Sequence, residues 1–439
     1  MAVGGILLIA QVMLWGRRIA AVSMEEGRPF ATFQYEAEFV RSGIQVSPFT
    51  MPLRPEPYEF PELPTRTFKG LPGLLADSLP DKFGDILIDT WLAREGRQPE
   101  SFSILERLCY VGTRGMGALE YKPARGPKLQ SSNRLDVGRM VELASKILSE
   151  RSKLQTTLVP SKIDQGLLDI LRVGTSAGGA RAKAVIAWNP KTDEVRSGQV
   201  RVDPEFEYWL IKFDGVRDNS DKELADPEGF GAIEYAYSVM AKQAGINMAE
   251  TRLLAEGGRR HFMTKRFDRL PGGEKLHMQS LGGMLHYDFN QPRAYSYEQS
   301  LAVIRQLQMG THAMEEQFRR MVFNVVARKQ DDHVKNIAYL MDQKGTWTLS
   351  PAFDVNYSYN PTGDWTSTHQ MTIGGEVDHF TRENLLACGK SGGIGKLAAR
   401  QIIEQVNSAV NNWPHIATSA KIPEETIRRI QQTHRLDLL

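Results

Sequence analysis

Apolar and polar positions change their period along this chain. From residue 12 to residue 40, β-prone runs are separated by short turns. The runs are Val12-Met13-Leu14-Trp15, Ile19-Ala20-Ala21-Val22-Ser23 and Phe30-Ala31-Thr32-Phe33-Gln34-Tyr35, with turns at Gly16 and at Glu25-Glu26-Gly27-Arg28. That pattern predicts a β-meander. Six prolines between residues 48 and 65 predict an irregular surface segment. Apolar spacing predicts helix over 74–92. A glycine-rich turn, 112–118, feeds a strand. Val137, Met140, Val141, Ala144, Ile147 and Leu148 recur at helical spacing. Strands follow at 184–188 and 208–213, then a polar loop at 215–229 and a helix at 233–244 that Gly245 ends. Beyond 296 the pattern is mostly helical, with one hairpin between 337 and 353. A β-rich first half thus precedes a helix-rich second half, joined near 268. This order predicts a two-lobed α+β enzyme with a cleft at the junction.

Composition narrows the class without naming a chemistry. Hydrophobic residues make up 41% and charged residues 24% of 439, as in an ordinary globular protein. With 54 basic and 52 acidic residues, no global charge favours nucleic acid. The apolar run 6–15 is interrupted by Gln11 and falls short of the ~20 residues that span a bilayer. Its positive charges, Arg17 and Arg18, follow it rather than precede it, unlike a signal peptide. The first strand is expected from Met13 onward, with the residues before it a leader outside the fold. The two cysteines, Cys109 and Cys388, have no metal-site spacing and read as reduced, buried thiols of a cytoplasmic protein.

The strongest chemical signal is Gln330-Asp331-Asp332-His333-Val334-Lys335-Asn336, which follows a long apolar helix and precedes a hairpin. Phosphoryl transfer needs a carboxylate that meets the substrate hydroxyl, and a further carboxylate and an amide that hold Mg²⁺ against the phosphates. In protein kinases four residues separate the catalytic Asp from the Mg-binding Asn. Asp331 and Asn336 have that spacing, and the hairpin leads to a further acid, Asp354. A turn capped by its own side chains is the plainer alternative for the short motif alone. His333 fits packing and nucleotide contact equally well. Upstream, Gly174 to Lys183 is rich in small residues that let backbone N–H groups approach phosphates, with Arg181 or Lys183 adding charge. It is not a Walker loop, and a plain hairpin connection remains open. Lys212 ends an apolar strand, where it either snorkels to solvent or enters a cleft, and Glu234 is its natural partner. Glu234 equally suits a first helical turn. The segment 388–396 looks phosphate-binding but lacks the Walker spacing, and reads as a flexible connection between helices.

Taken together, Gly178-Gly179-Ala180-Arg181-Ala182-Lys183-Ala184, Arg266-Phe267-Asp268-Arg269, Asp332-His333-Val334-Lys335-Asn336 and Pro351-Ala352-Phe353-Asp354 resemble the HipA family, bacterial serine/threonine kinases of toxin–antitoxin systems. The motifs occur in family order over most of the chain. The resemblance implies a protein-kinase-like fold with an additional N-terminal β-rich subdomain. It divides the chain into that subdomain (1–125), a kinase N-lobe with the phosphate-binding loop (126–268) and a helical C-lobe with the catalytic loop (269–439). Asp331 would be the catalytic Asp, and Asn336 and Asp354 the Mg²⁺ ligands. Residues 178–183 would cover the ATP phosphates, with Lys212 contacting them. Lys265 and Phe267 would offer backbone groups to adenine, Lys335 would lie near the γ-phosphate, and His333 and Phe353 would complete the ATP site. Ser176 matches a serine whose autophosphorylation inactivates the enzyme, with Thr175 beside it.

The resemblance further implies a helix-turn-helix antitoxin of the HipB type as partner, and a protein substrate such as an aminoacyl-tRNA synthetase. Two departures stand out. Lys265 replaces a Glu of the best-known member, and the region after Met371 is short and lacks a basic run. The second departure favours DNA contact only through the antitoxin. Two other readings remain: a phosphotransferase acting on a small molecule, and a catalytically silent, antitoxin-binding co-repressor.

Overall fold

A four-stranded antiparallel sheet opens the chain, with Leu7–Leu14 and Arg17–Glu25 at its centre, Thr32–Tyr35 on one edge and Leu119–Lys122 on the other. The computed structural model describes residues 7–125, 134–149, 170–171, 174, 181–199, 202–216 and 229–438. The first strand corrects the expected leader. Leu7 pairs with Glu25 and Ala10 with Val22, so the strand begins well before Met13. Ala10 and Val12 are buried while Ile9 and Gln11 are exposed. Gln11, which breaks the apolar run in sequence, thus lies on the solvent face of an alternating strand.

The stretch 74–92 is two helices rather than one. Gly73–Ala76 is a short turn, and the longer helix Lys82–Arg94 restarts after Pro80. Proline disfavours continuation of the first helix, and Asp81 caps the second by accepting from the Gly84 N–H at 2.7 Å. The helix Ile104–Val111 is not among those the apolar spacing predicts. A reciprocal capping box between Ser103 and Glu106 starts it. These helices, with Val137–Ser149 as expected, make the first half less purely β than its pattern suggests.

Further on, the strand Lys183–Trp188 is buried at every residue and pairs antiparallel with Val195–Ser197 and Glu207–Lys212. Two units interleave in sequence. One comprises 1–222, 265–288 and 340–346; the other comprises 223–264, 289–339 and 347–439. The second unit is built on the helices Phe230–Gln243, Gly310–Val326 and Lys396–Asn411. Gly245, at φ +81°, ends the first of these as expected. Tyr237 centres the unit's aromatic core, its ring 5.1 Å from Trp413 and 6.4 Å from Phe323. The phosphate-like segment at 388–396 is helical through Ser391, so only 392–395 connect that helix to the next. Cys109 and Cys388 are free and buried. Among the described residues no helix is long and apolar enough to cross a membrane.

Candidate active site

The helix Gly310–Val326 delivers the chain into an irregular loop that carries Asp331 through Asn336. The hairpin strands Ala338–Met341 and Trp347–Leu349 follow. Arg320 links helix to hairpin: its guanidinium pairs with Glu316 at 2.7 Å and donates to the Ser350 carbonyl at 2.8 Å. Beyond the hairpin, Asp354 adopts φ +52°. Side chains rarely hold this left-handed conformation, though Asp tolerates it better than most.

The two adjacent acids of the loop have opposite surroundings. The Asp331 side chain is 35% exposed and that of Asp332 only 1%. Asp331 is fixed at several atoms. Its N–H donates to Ser358 Oγ at 2.9 Å, and its carbonyl accepts from Asn336 Nδ2 at 2.7 Å and from Lys329 Nζ at 2.5 Å. Its carboxylate Oδ1 accepts from Trp365 Nε1 at 2.9 Å. Asp332 points inward. Its Oδ2 takes the Tyr297 hydroxyl at 2.6 Å and His369 Nδ1 at 2.8 Å, and its Oδ1 takes the Gln370 N–H at 2.7 Å. Burial alone would raise this carboxyl, but His369, Lys329 and Tyr297 hold it below its usual range.

His333 Nδ1 accepts from the Lys335 N–H at 3.3 Å, its Nε2 lies 3.7 Å from Asp331 Oδ1, and its ring packs 5.8 Å from Phe289. Burial lowers its pKa against the pull of Asp331 and Asp354. The charges of Asp331, Lys329, Asp354 and Lys335 all act on this ring. The Lys335 ammonium lies 4.9 Å over the Phe289 ring. Phe353 is half-buried beside Asp354. Glu234 is fully buried in the helix Phe230–Gln243.

The other expected residues belong to the first unit. Lys183 is buried and reaches Asp81 Oδ2 at 2.8 Å, an ion pair that sequence spacing of 102 residues conceals. Lys183 lies opposite Lys212 in register, and Ala182 O accepts from Phe213 N–H at 3.0 Å. Arg181 is half-buried. The Lys265 ammonium meets Glu207 at 2.6 Å, and Phe267 is half-buried. In the Arg266-Phe267-Asp268-Arg269 motif, Asp268 is buried between Arg266 (2.7 Å) and Arg269 (2.8 Å) and also accepts the Gly117 N–H at 2.6 Å. The expected Thr175, Ser176, Gly178, Gly179 and Ala180 lie outside the described residues.

Several site residues escape the motif reading. Lys329, Ser358 and Trp365 fix Asp331, and Tyr297, His369 and Gln370 fix Asp332. Only Lys329 is close to the motif in sequence. The others come from a helix start or from a segment without regular structure, where no periodicity marks them.

Oxygen donors suited to Mg²⁺ are present. Asn336 donates its amide nitrogen to the Asp331 carbonyl, so its amide oxygen is its remaining acceptor, and Asp354 adds a carboxylate. No group of three or more His, Cys, Asp or Glu able to hold a metal occurs among the described residues.

Comparison with known proteins bears on this geometry. The HipA N-terminal domain family matches residues 10–122, and the HipA-like C-terminal domain family matches residues 175–413. No curated protein matches. Among solved structures, HipA of Shewanella oneidensis MR-1, determined with HipB and operator DNA, aligns over 96% of this chain and 95% of its own. Its TM-score is 0.65 at 16% identity. The Helicobacter pylori proinflammatory kinase CtkA aligns over 53% of this chain and 89% of its own, at 12% identity and a TM-score of 0.34. The α+β fold with its added β-rich N-terminal part is therefore similar to that of Shewanella HipA, and the chain belongs to the HipA family.

Proposed function

We propose that this protein is an ATP- and Mg²⁺-dependent serine/threonine protein kinase, the toxin of a HipA/HipB-type toxin–antitoxin pair. The observation that carries this reading is Asp331. Its backbone is held by Ser358, Asn336 and Lys329, while its carboxylate stays partly exposed. A carboxylate so fixed can accept the proton of a substrate hydroxyl as that oxygen attacks phosphorus. Asn336 and Asp354 would hold Mg²⁺ through their side-chain oxygens. When bound, Mg²⁺ neutralises charge on the phosphate oxygens.

Residues 178–183 would cover the ATP phosphates, with Lys212 and Lys335 contributing charge and Glu234 orienting Lys212. Backbone groups of Lys265 and Phe267 would meet adenine, with His333 and Phe353 closing the site. On this reading the chain keeps the three-part division 1–125, 126–268 and 269–439. Autophosphorylation would fall on Ser176 or Thr175. The partner would be a HipB-type helix-turn-helix antitoxin, by analogy with the Shewanella complex, with DNA reached through it. The substrate would be a translation protein of the cytoplasm, such as an aminoacyl-tRNA synthetase.

Transfer of label from γ-labelled ATP with Mg²⁺, with and without cell lysate, tests the proposal. Wild type should label itself or a lysate protein, and Asp331→Ala should lose at least a hundredfold of that rate, the scale of a general-base contribution of about 10²–10⁴. ATP binding without protein labelling in any lane would favour a small-molecule substrate. Absence of both would favour the silent co-repressor.

A further inference from the structure

The two oxygens of the Asp331 carboxylate are not equivalent. Oδ1 accepts from the Trp365 indole N–H at 2.9 Å and also faces His333 Nε2 at 3.7 Å. Oδ2 has no hydrogen-bond partner among the described residues. The backbone of Asp331 is fixed on both sides of its Cα, so a single further donor suffices to set the side-chain rotation. Ser358 and Trp365 belong to the same irregular segment after Asp354, so one stretch of chain grips Asp331 at both its N–H and its carboxylate.

Resting on the kinase reading above, we infer that Trp365 is the positioning residue of the phosphoryl-transfer site, holding Oδ1 so that Oδ2 is the oxygen that receives the substrate hydroxyl proton. An indole nitrogen donates and cannot accept. It therefore holds Oδ1 without competing for the proton, which passes from the hydroxyl to Oδ2 as the hydroxyl oxygen bonds to phosphorus and the bond from phosphorus to the leaving oxygen breaks. Trp365 touches neither substrate nor nucleotide in this role. Loss of the donor leaves the carboxylate free to rotate about its side-chain torsions, and displacement of a reacting group by about 1 Å can cost ~10²-fold in rate.

The experiment uses the full-length protein with γ-labelled ATP, Mg²⁺ and whichever protein the wild type labels. Trp365→Phe removes the N–H and keeps an aromatic ring. A second variant carries 3-benzothienylalanine at position 365, which keeps the indole shape and replaces N–H by sulfur. Both should lower kcat about tenfold or more while KM for ATP stays within about twofold. In ¹⁵N spectra, the Trp365 indole resonance, assigned by its loss in Trp365→Phe, should shift in Asp331→Ala. Unchanged kcat in the benzothienyl variant overturns the inference and leaves the kinase reading intact. An increase in kcat would mean that the indole blocks the base, and also overturns it. An unmoved indole resonance shows that the contact does not form in solution. No transfer by the wild type removes the kinase reading and this inference together.

Discussion

Two buried carboxylates organise this molecule, and their partners differ in kind. Asp268, in the first unit, is fully buried between the guanidinium groups of Arg266 and Arg269. Burial alone would raise its pKa, yet the two arginines and the Gly117 N–H hold it far below the usual carboxylate range. Arg269, lowered by burial to about 10, still carries its charge at neutral pH. Asp332, in the second unit, is equally buried but faces an imidazole, a phenol and a backbone N–H. Both acids splice distant segments. Asp268 and its arginines bind the 115–117 turn to the 266–269 strand end, and Asp332 binds the 331–336 loop to Tyr297 and 369–370. The first junction is locked by permanent charge. The second depends on hydrogen bonds.

The largest effect is expected from breaking the locked junction. Asp268→Ala strands the Arg266 guanidinium, whose side chain is 1% exposed, and such an uncompensated buried charge costs about 3–5 kcal/mol. Denaturant midpoints would report it. A loss under about 1 kcal/mol would mean that the arginines find other partners and that charge pairing does not hold the junction.

Asp332→Asn should cost less stability, about 1.5–3 kcal/mol for its hydrogen bonds, and more activity. The loop loses its anchor beside Asp331, so kcat for phosphate transfer should fall at least tenfold, within the ~10²-fold that misplacement of about 1 Å can cost. If stability dropped as far as in Asp268→Ala while kcat held, the contrast between the two acids would be lost.

The smallest effect separates the buried acids from the buried histidines by pH. Asp268 and Asp332 have depressed values, so both contribute stability at neutral pH that is lost only as acid titrates them below the ordinary range near ~3.9. His277 behaves otherwise. Burial holds it down to about 4, although its bond to the Val46 carbonyl pulls the other way. The unfolded chain, with His near ~6.5, then binds more protons than the folded one between these values. Stability is therefore lost as the pH is lowered through that interval, by about 1 kcal/mol from pH 6.5 to 5.5. His277→Gln should flatten the slope over that interval in calorimetric melts. An unchanged slope would assign it to other histidines, of which His286 and His434 are also held near 4 by burial.

How much of this was legible follows from where each partner lies. The spacing of Asp331 and Asn336, the hairpin after them and Asp354 at its end are local and periodic, so the pattern of the chain exposes them. The strand over residues 7–14 was hidden because Gln11 looks like a break until the alternation of a two-faced strand is considered. The Lys183 pairing was hidden for a different reason. Small residues before a strand suggest a phosphate contact, while Asp81 lies 102 positions away beyond a helix cap.

Asp331 and Asp332 make the division between sequence and tertiary structure plain. They are chemically identical and adjacent, and spacing alone points to the first as the base. Their unlike surroundings arise from residues 27 to 38 positions away: Ser358 and Trp365 on one side, Tyr297, His369 and Gln370 on the other. By itself the sequence determined the succession of elements and which residue types stand at the spacing phosphoryl transfer requires, because helices, strands and short motifs arise from near neighbours. Only the tertiary structure decided which acid is buried and which oxygen stays open. Burial and hydrogen-bond direction depend on side chains that meet through folding, and no local pattern encodes which ones will.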